Sequence, residues 1–274
     1  MNDWLTGSLI TGAIVTLGWV FFTQIFPRMM AERVSRPEEQ TLTRLPGIED
    51  HPELQPIIPV DADKAIESTK HTHDIFLSEA SDLVLQARTA GLFAGETLAE
   101  AAAKAGDAVK IRPGSFAANM LAGEIGVKRA LLVEGAEAVG LLEEAAIRFA
   151  TATETKKGVI DAYVGRAWAH LERAYRLEDT AASAAFLDAS EVFLKGFRVN
   201  PQNLFILRGW GLAIDGMARI IGEGSAPVGA AEDAYRLALA EHRNGDHELH
   251  EWYAGIRATD EPVRIPMPPV RDLY

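Results

Sequence analysis

The sequence predicts an all-α protein: one N-terminal transmembrane helix, then a repeat domain built of helical hairpins. Three observations carry that prediction. Trp168, Trp210 and Trp252 recur at steps of 42 residues. Ala101, Ala145, Ala189 and Ala231 recur at steps of 44, 44 and 42, and the last three are each followed four residues later by an aromatic: Phe149, Phe193 and Tyr235. Leu5 to Phe26 run for 22 residues without a charge. A fixed period of this size marks stacked supersecondary units, none of which can bury its apolar face alone. Alanine and leucine dominate over β-branched residues, which also favours helix.

Leu5 to Phe26 would be about 33 Å long as a helix, enough to cross a hydrocarbon core. Trp4, Trp19, Phe21, Phe22 and Phe26 place aromatics towards its ends, where such rings favour the interface. A cleaved signal peptide fits poorly. Met1-Asn2-Asp3 has no Lys or Arg, the apolar run is too long, and no A-x-A site follows. Arg28, Arg33, Arg36 and Arg44 follow the segment and no cationic residue precedes it. The expectation is a single-pass integral membrane protein with its N-terminus outside and its large domain cytoplasmic. Ser8, Gly12 and Thr16 share one helical face. Small residues at that spacing let another helix approach, so this is the expected contact face within the membrane.

Pro37, Pro46, Pro52, Pro56 and Pro59 interrupt any helix over the next stretch, and Glu38, Glu39, Glu49, Asp50 and Glu53 keep it solvated. Helical patterning starts near Asp61, with Asp61 or Asp63 as N-cap. Gly91 to Gly95 should break the first hairpin, whose second helix runs from Glu96 to Ile111. A second hairpin covers Ser115 to Thr155, broken near Glu134-Gly135. A third covers Val159 to Val199, broken at Asp179-Thr180. A fourth covers Pro201 to Arg243, broken between Gly222 and Pro227, with Asn200-Pro201 as N-cap and first helical residue. A short helix follows over His247 to Ala258. The chain thus divides into an anchor (1–30), a Pro-rich acidic linker (31–62), a repeat domain (63–258) and an extended Pro-rich tail (259–274).

These spacings resemble the tetratricopeptide repeat. In that family the first helix of each unit carries W-x2-L-G-x2-Y, and Trp168, Leu171 and Tyr175 stand at those positions, with Glu172 in place of the small residue. The second helix carries A-x3-F-x2-A and then a proline, matched by Ala189, Phe193, Gly196 and Pro201. Ala231 and Tyr235, then Ala145 and Phe149, fit further copies without the proline, and Ala101, Ala105, Ala108 and Pro113 fit a degenerate first one. The resemblance implies a tetratricopeptide-like α-solenoid over about residues 96 to 258. It also implies packing roles for Trp168, Leu171, Tyr175, Ala189, Phe193, Trp210, Ala231, Tyr235, Trp252, Ala145 and Phe149. The units here are longer than the family's 34 residues because their connections are longer.

The net charge is −12, and no basic face is available to neutralise phosphates, so nucleic acid is not an expected partner. The absence of cysteine excludes disulfides, thiolate zinc sites and a lipoprotein anchor. The sharpest enzymatic lead is His242, His247 and His250. A zinc protease needs H-E-x-x-H, which places two imidazoles one turn apart. His247-Glu248-Leu249-His250 is one residue short, and an exposed helix start capped by Asp246 is the plainer reading. His71 and His73 read as a solvated face, and Glu143, Glu144 and Glu172 as surface. Lys156-Lys157-Gly158 lacks the glycine-rich loop that cradles phosphate.

No catalytic residue, cofactor or metal is expected, and the chain is not read as an enzyme. Arg166 and Arg208, each two residues before a tryptophan, form a candidate surface for an acidic partner peptide. The expected function is a membrane-anchored scaffold or adaptor that mediates protein–protein interaction. The alternative is an accessory subunit of a larger integral membrane complex, held by its transmembrane helix. A metal-dependent enzyme using His242, His247 and His250 is a distant third.

Overall fold

The computed structural model describes residues 62–242 and 246–265. The expected transmembrane helix with Ser8, Gly12 and Thr16, and the linker up to residue 61, lie outside the described residues. Among the described residues no helix is long and apolar enough to cross a membrane.

The described chain is all-α. The helices are α1 (Ala62–Ala87), α2 (Ala94–Ile111), α3 (Phe116–Ala130), α4 (Gly135–Thr155), α5 (Ile160–Ala174), α6 (Asp179–Val199), α7 (Leu204–Ile221), α8 (Ala226–Glu241) and α9 (Asp246–Arg257), with a 3-10 turn at Gly91–Phe93. Each helix packs on the next. The first helices of successive hairpins also touch in series: α1 on α3, α3 on α5, α5 on α7 and α7 on α9. This pattern of nearest and next-nearest contacts makes the domain a solenoid-like stack of helical hairpins.

Local chemistry sets several boundaries. Ser115 starts α3, its Oγ accepting from the Ala118 N–H at 3.3 Å. Gly222, at φ 86°, ends α7 in a conformation that suits glycine. Three expected boundaries are corrected. The third hairpin breaks over Tyr175 to Glu178, and Asp179 is already the first residue of α6. Asn200-Pro201 does not open α7. The Asn200 side chain instead accepts from the Gln202 N–H, closing an Asx turn, and Asn203 caps α7 by accepting from the Ile206 N–H at 3.0 Å. Asp63 lies inside α1 rather than ahead of it.

The repeat residues meet within and between hairpins. Trp168 and Trp210 are fully buried. The Trp168 ring meets Phe193 edge-on at 6.3 Å, and Trp210 lies 5.4 Å from Tyr235 and 6.2 Å from Phe197. The Trp210 Nε1–H donates to Ser190 Oγ at 2.9 Å. Leu171, Ala145, Phe149, Ala189 and Tyr235 are buried, whereas Tyr175, Ala231 and Trp252 are partly covered.

The aromatics of the second helices are received by glycines. Phe149 of α4 wedges between Gly123 of α3 and Gly165 of α5, where an added Cβ would lie 2.9 Å and 2.6 Å from its ring. Phe193 of α6 presses on Gly209 of α7 in the same way. Each receiving glycine on the next hairpin stands sixteen residues after its aromatic, a spacing that the tryptophan and alanine series did not reveal. Gly165→Ala therefore loses stability by about 1–3 kcal/mol through overpacking, although alanine gains about 1 kcal/mol in helix propensity. Gly140→Ala, on an open face of α4 with no atom near the new Cβ, gains up to about 1 kcal/mol. Urea unfolding of the two variants should show midpoints moving in opposite directions.

The first part of the tail docks on the array. Residues 259–265 are not free of the domain but cross the C-terminal ends of α7 and α5. The Arg219 guanidinium donates to the carbonyls of Ile256, Thr259 and Asp260 at 3.0, 2.9 and 3.1 Å. Further on, the Tyr175 hydroxyl donates to the Val263 carbonyl at 3.1 Å. Arg264 donates to the Tyr175 carbonyl and lies over its ring. Val263 and Ile265 pack against the main apolar core. Residues 266–274 lie outside the described residues.

Candidate functional site

Arg166, His170 and Arg173 occupy positions i, i+4 and i+7 of α5, one stripe along a helix whose other faces are buried in the stack. All three are half-buried. The Nε atoms of Arg166 and Arg173 and the Nδ1 of His170 are shielded from solvent and make no hydrogen bond within the described residues. Asp188 of α6 is the acid in reach, 3.9 Å from Arg173 and 4.0 Å from His170. Those are separations of weak attraction, not of hydrogen bonds.

Burial pushes His170 down to about 4, and the charges of Arg166 and Arg173 act in the same direction against the opposing pull of Asp188. The stripe therefore sets two guanidiniums and one carboxylate around a neutral imidazole, on a chain of net charge −12. A histidine neutral when folded but protonated when unfolded makes stability fall as pH drops below about 6.5 towards 4. From about pH 7 to about pH 5.5 the loss is about 1 kcal/mol. Urea midpoints at the two pH values should converge for His170→Gln by that amount relative to the unaltered chain.

The next first helix carries the same stripe 42 residues on: Arg208, Leu212 and Asp215 of α7. Here it is partly covered. Arg208 lies 3.7 Å from Glu248 of α9, and its Nε is likewise shielded and without an acceptor. Asp215 is buried and paired with Arg219 at 2.7 Å and with Arg257 of α9 at 3.4 Å. Arg257 also reaches Glu223 and Glu232, at 2.7 and 3.5 Å. The terminal helix and the tail so close the stripe on α7, whereas among the described residues that on α5 stays half-exposed.

Arg166 and Arg208 thus stand at equivalent positions of two first helices that touch. His170 and Arg173 escaped the sequence reading, although one and two helical turns from Arg166 are where its stripe continues. Glu172 is corrected from surface to interior: it is buried and ion-paired with Arg176 at 2.6 Å. His73 is corrected likewise, buried in α1 with Nδ1 2.8 Å from Asp74, while His71 is exposed.

The three C-terminal histidines do not share one environment. His242 is buried at the end of α8, whereas His247 and His250 are exposed on α9. Among the described residues no group of three or more His, Asp or Glu side chains is placed to hold a metal ion. A scan against protein-family models finds no match, and a search of the curated proteins finds none.

Proposed function

We propose that the protein is a membrane-anchored scaffold or adaptor whose tetratricopeptide-like array grips an acidic segment of a protein partner. One observation carries this reading. On α5 the half-buried side chains of Arg166, His170 and Arg173 meet no carboxylate closer than Asp188, 3.9 Å from Arg173 and 4.0 Å from His170, among the described residues. Buried polar groups are almost always hydrogen-bonded, and leaving one unmade costs about 1–3 kcal/mol. Carboxylates are the acceptors that match arginine forks in charge and geometry. A stacked array supplies an extended surface for such a segment and no enclosed catalytic pocket.

The uncharged run Leu5 to Phe26 supports a single membrane anchor, and the arginines after it support a cytoplasmic array. The Pro-rich linker between them sets the array's distance from the bilayer.

The test is purification of the full-length chain in mild detergent with and without Arg166→Glu and Arg173→Glu combined. The reading expects a partner bearing an acidic stretch to be released by the double variant, which stays membrane-bound and folded. Undiminished co-purification of the same partner would sink it.

A further inference from the structure

The opposite end of the array carries a groove of the opposite charge. It lies between α1 and α3 and has a volume of about 500 Å³. Leu77 and Val84 of α1 and Leu121 of α3 form its floor, and Leu85, 52 % exposed, stands at its edge. Asp74, Asp82 and Glu124 line its rim, against a single lining cation, Arg88.

The repeat itself explains why the groove occurs here. Ala105 of α2 stands 44 residues before Phe149 and 88 before Phe193, and Leu121 stands at the same steps before Gly165 and Gly209. In later hairpins a ring from the second helix wedges between two first helices and lands on glycine. Among the described residues no such ring enters between α1 and α3. Leu121 projects from α3 itself, buried beside Ala105, and the space over it stays open to one side.

We infer that this groove is a second binding site, for a short cationic amphipathic helix that buries leucine-sized side chains on Leu77, Val84 and Leu121 and sets Lys or Arg against Asp74 and Asp82. Charge complementarity decides the class of occupant. The rim carries three carboxylates to one guanidinium, and Glu124 is already engaged by Lys128 at 3.2 Å. Asp82 is exposed, and among the described residues the hydrogen bond of Asp74 runs to its neighbour His73, with the charges of Lys70 and Arg112 acting on it from further off, so both can meet an incoming cation. An apolar floor between two helices is the setting in which an amphipathic helix docks by its i, i+3, i+4 side chains. An acidic or wholly polar segment gains nothing there. This site does not rest on the arginine stripe of α5 and takes a different class of segment.

The chain has no cysteine, so Ser78→Cys introduces a single thiol at the groove for a fluorescent dye. The full-length chain, held in neutral-lipid nanodiscs, is titrated with two synthetic helices of about four turns. Both carry the same leucine pattern, one with lysines between the leucines and one with glutamates. The lysine peptide should saturate the signal and the glutamate peptide should not. Asp82→Lys and Leu85→Ser should each weaken binding by about fivefold to tenfold. Glu143→Lys, which makes the same charge change on the exposed face of α4, should leave it unchanged. Equal binding of both peptides would overturn the inference. So would equal loss in Asp82→Lys and Glu143→Lys, which would reduce the effect to net charge. A dye shielded from iodide with no response to either peptide would overturn it too, because the groove would then be covered by the chain itself.

Discussion

Trp210→Ala lowers the stability of the array by about 3–5 kcal/mol, the cost of emptying a large buried aromatic site. Trp210 is 1 % exposed and touches two hairpins, through Phe197 and Tyr235. Its removal also strands the Ser190 hydroxyl, which loses its indole donor in a buried setting. In a domain of this size such a loss moves the thermal midpoint by roughly 10 °C. Trp252→Ala should cost clearly less, because Trp252 lies on the terminal helix with one side open. Urea melts of the two variants give the ranking. Equal losses would mean that the 42-residue series does not mark a graded core.

Asp215→Ala has an effect of similar size for a different reason. Asp215 is buried between two guanidiniums that tie α9 and the tail to α7. Removing one member of a buried ion pair costs up to about 3–5 kcal/mol; here Arg219 loses its carboxylate, while Arg257 keeps Glu223 and Glu232 at 2.7 and 3.5 Å. Arg219 then no longer holds its orientation towards the carbonyls of Ile256, Thr259 and Asp260. The loss should be local first. Hydrogen exchange should speed up in α9 and residues 258–265 before it does in α5. Asp215→Asn, which keeps an acceptor, should fall between the two. Uniform acceleration across the stack would contradict this account of the terminal cap.

The repeat was legible because packing imposes a period on residue size. Trp168, Trp210, Phe149 and Phe193 each fill a gap that recurs once per hairpin, so their spacing survives in the sequence. Turn positions were legible less evenly: the break expected at Asp179-Thr180 lies over Tyr175 to Glu178, Asp63 falls inside α1, and at one turn two capping residues compete. In Asn200-Pro201-Gln202-Asn203 either asparagine can cap, and the choice fell to Asn203 because Asn200 is used in the turn. What the sequence concealed was pairing over long distances. Nothing near Tyr175 announces that Val263 and Arg264 will cover it, and nothing near Asp215 announces Arg257. Glu172 and His73 read as surface because their types usually are, and only the packed helices show them buried.

The candidate site was half visible. Arg166 and Arg208 stood out by their fixed distance from the tryptophans, but burial decides what they can do. The sequence could not show that their Nε atoms are shielded, nor that Asp188 stops short of neutralising the stripe.

The most direct measurement is the binding of a dye-labelled, aspartate-rich peptide to the full-length chain near neutral pH, followed by fluorescence anisotropy. The account predicts saturable binding that weakens with added salt and falls about tenfold or more when Arg166→Gln and Arg173→Gln are combined. Binding that is absent, or that survives the loss of both arginines in a folded protein, would contradict it.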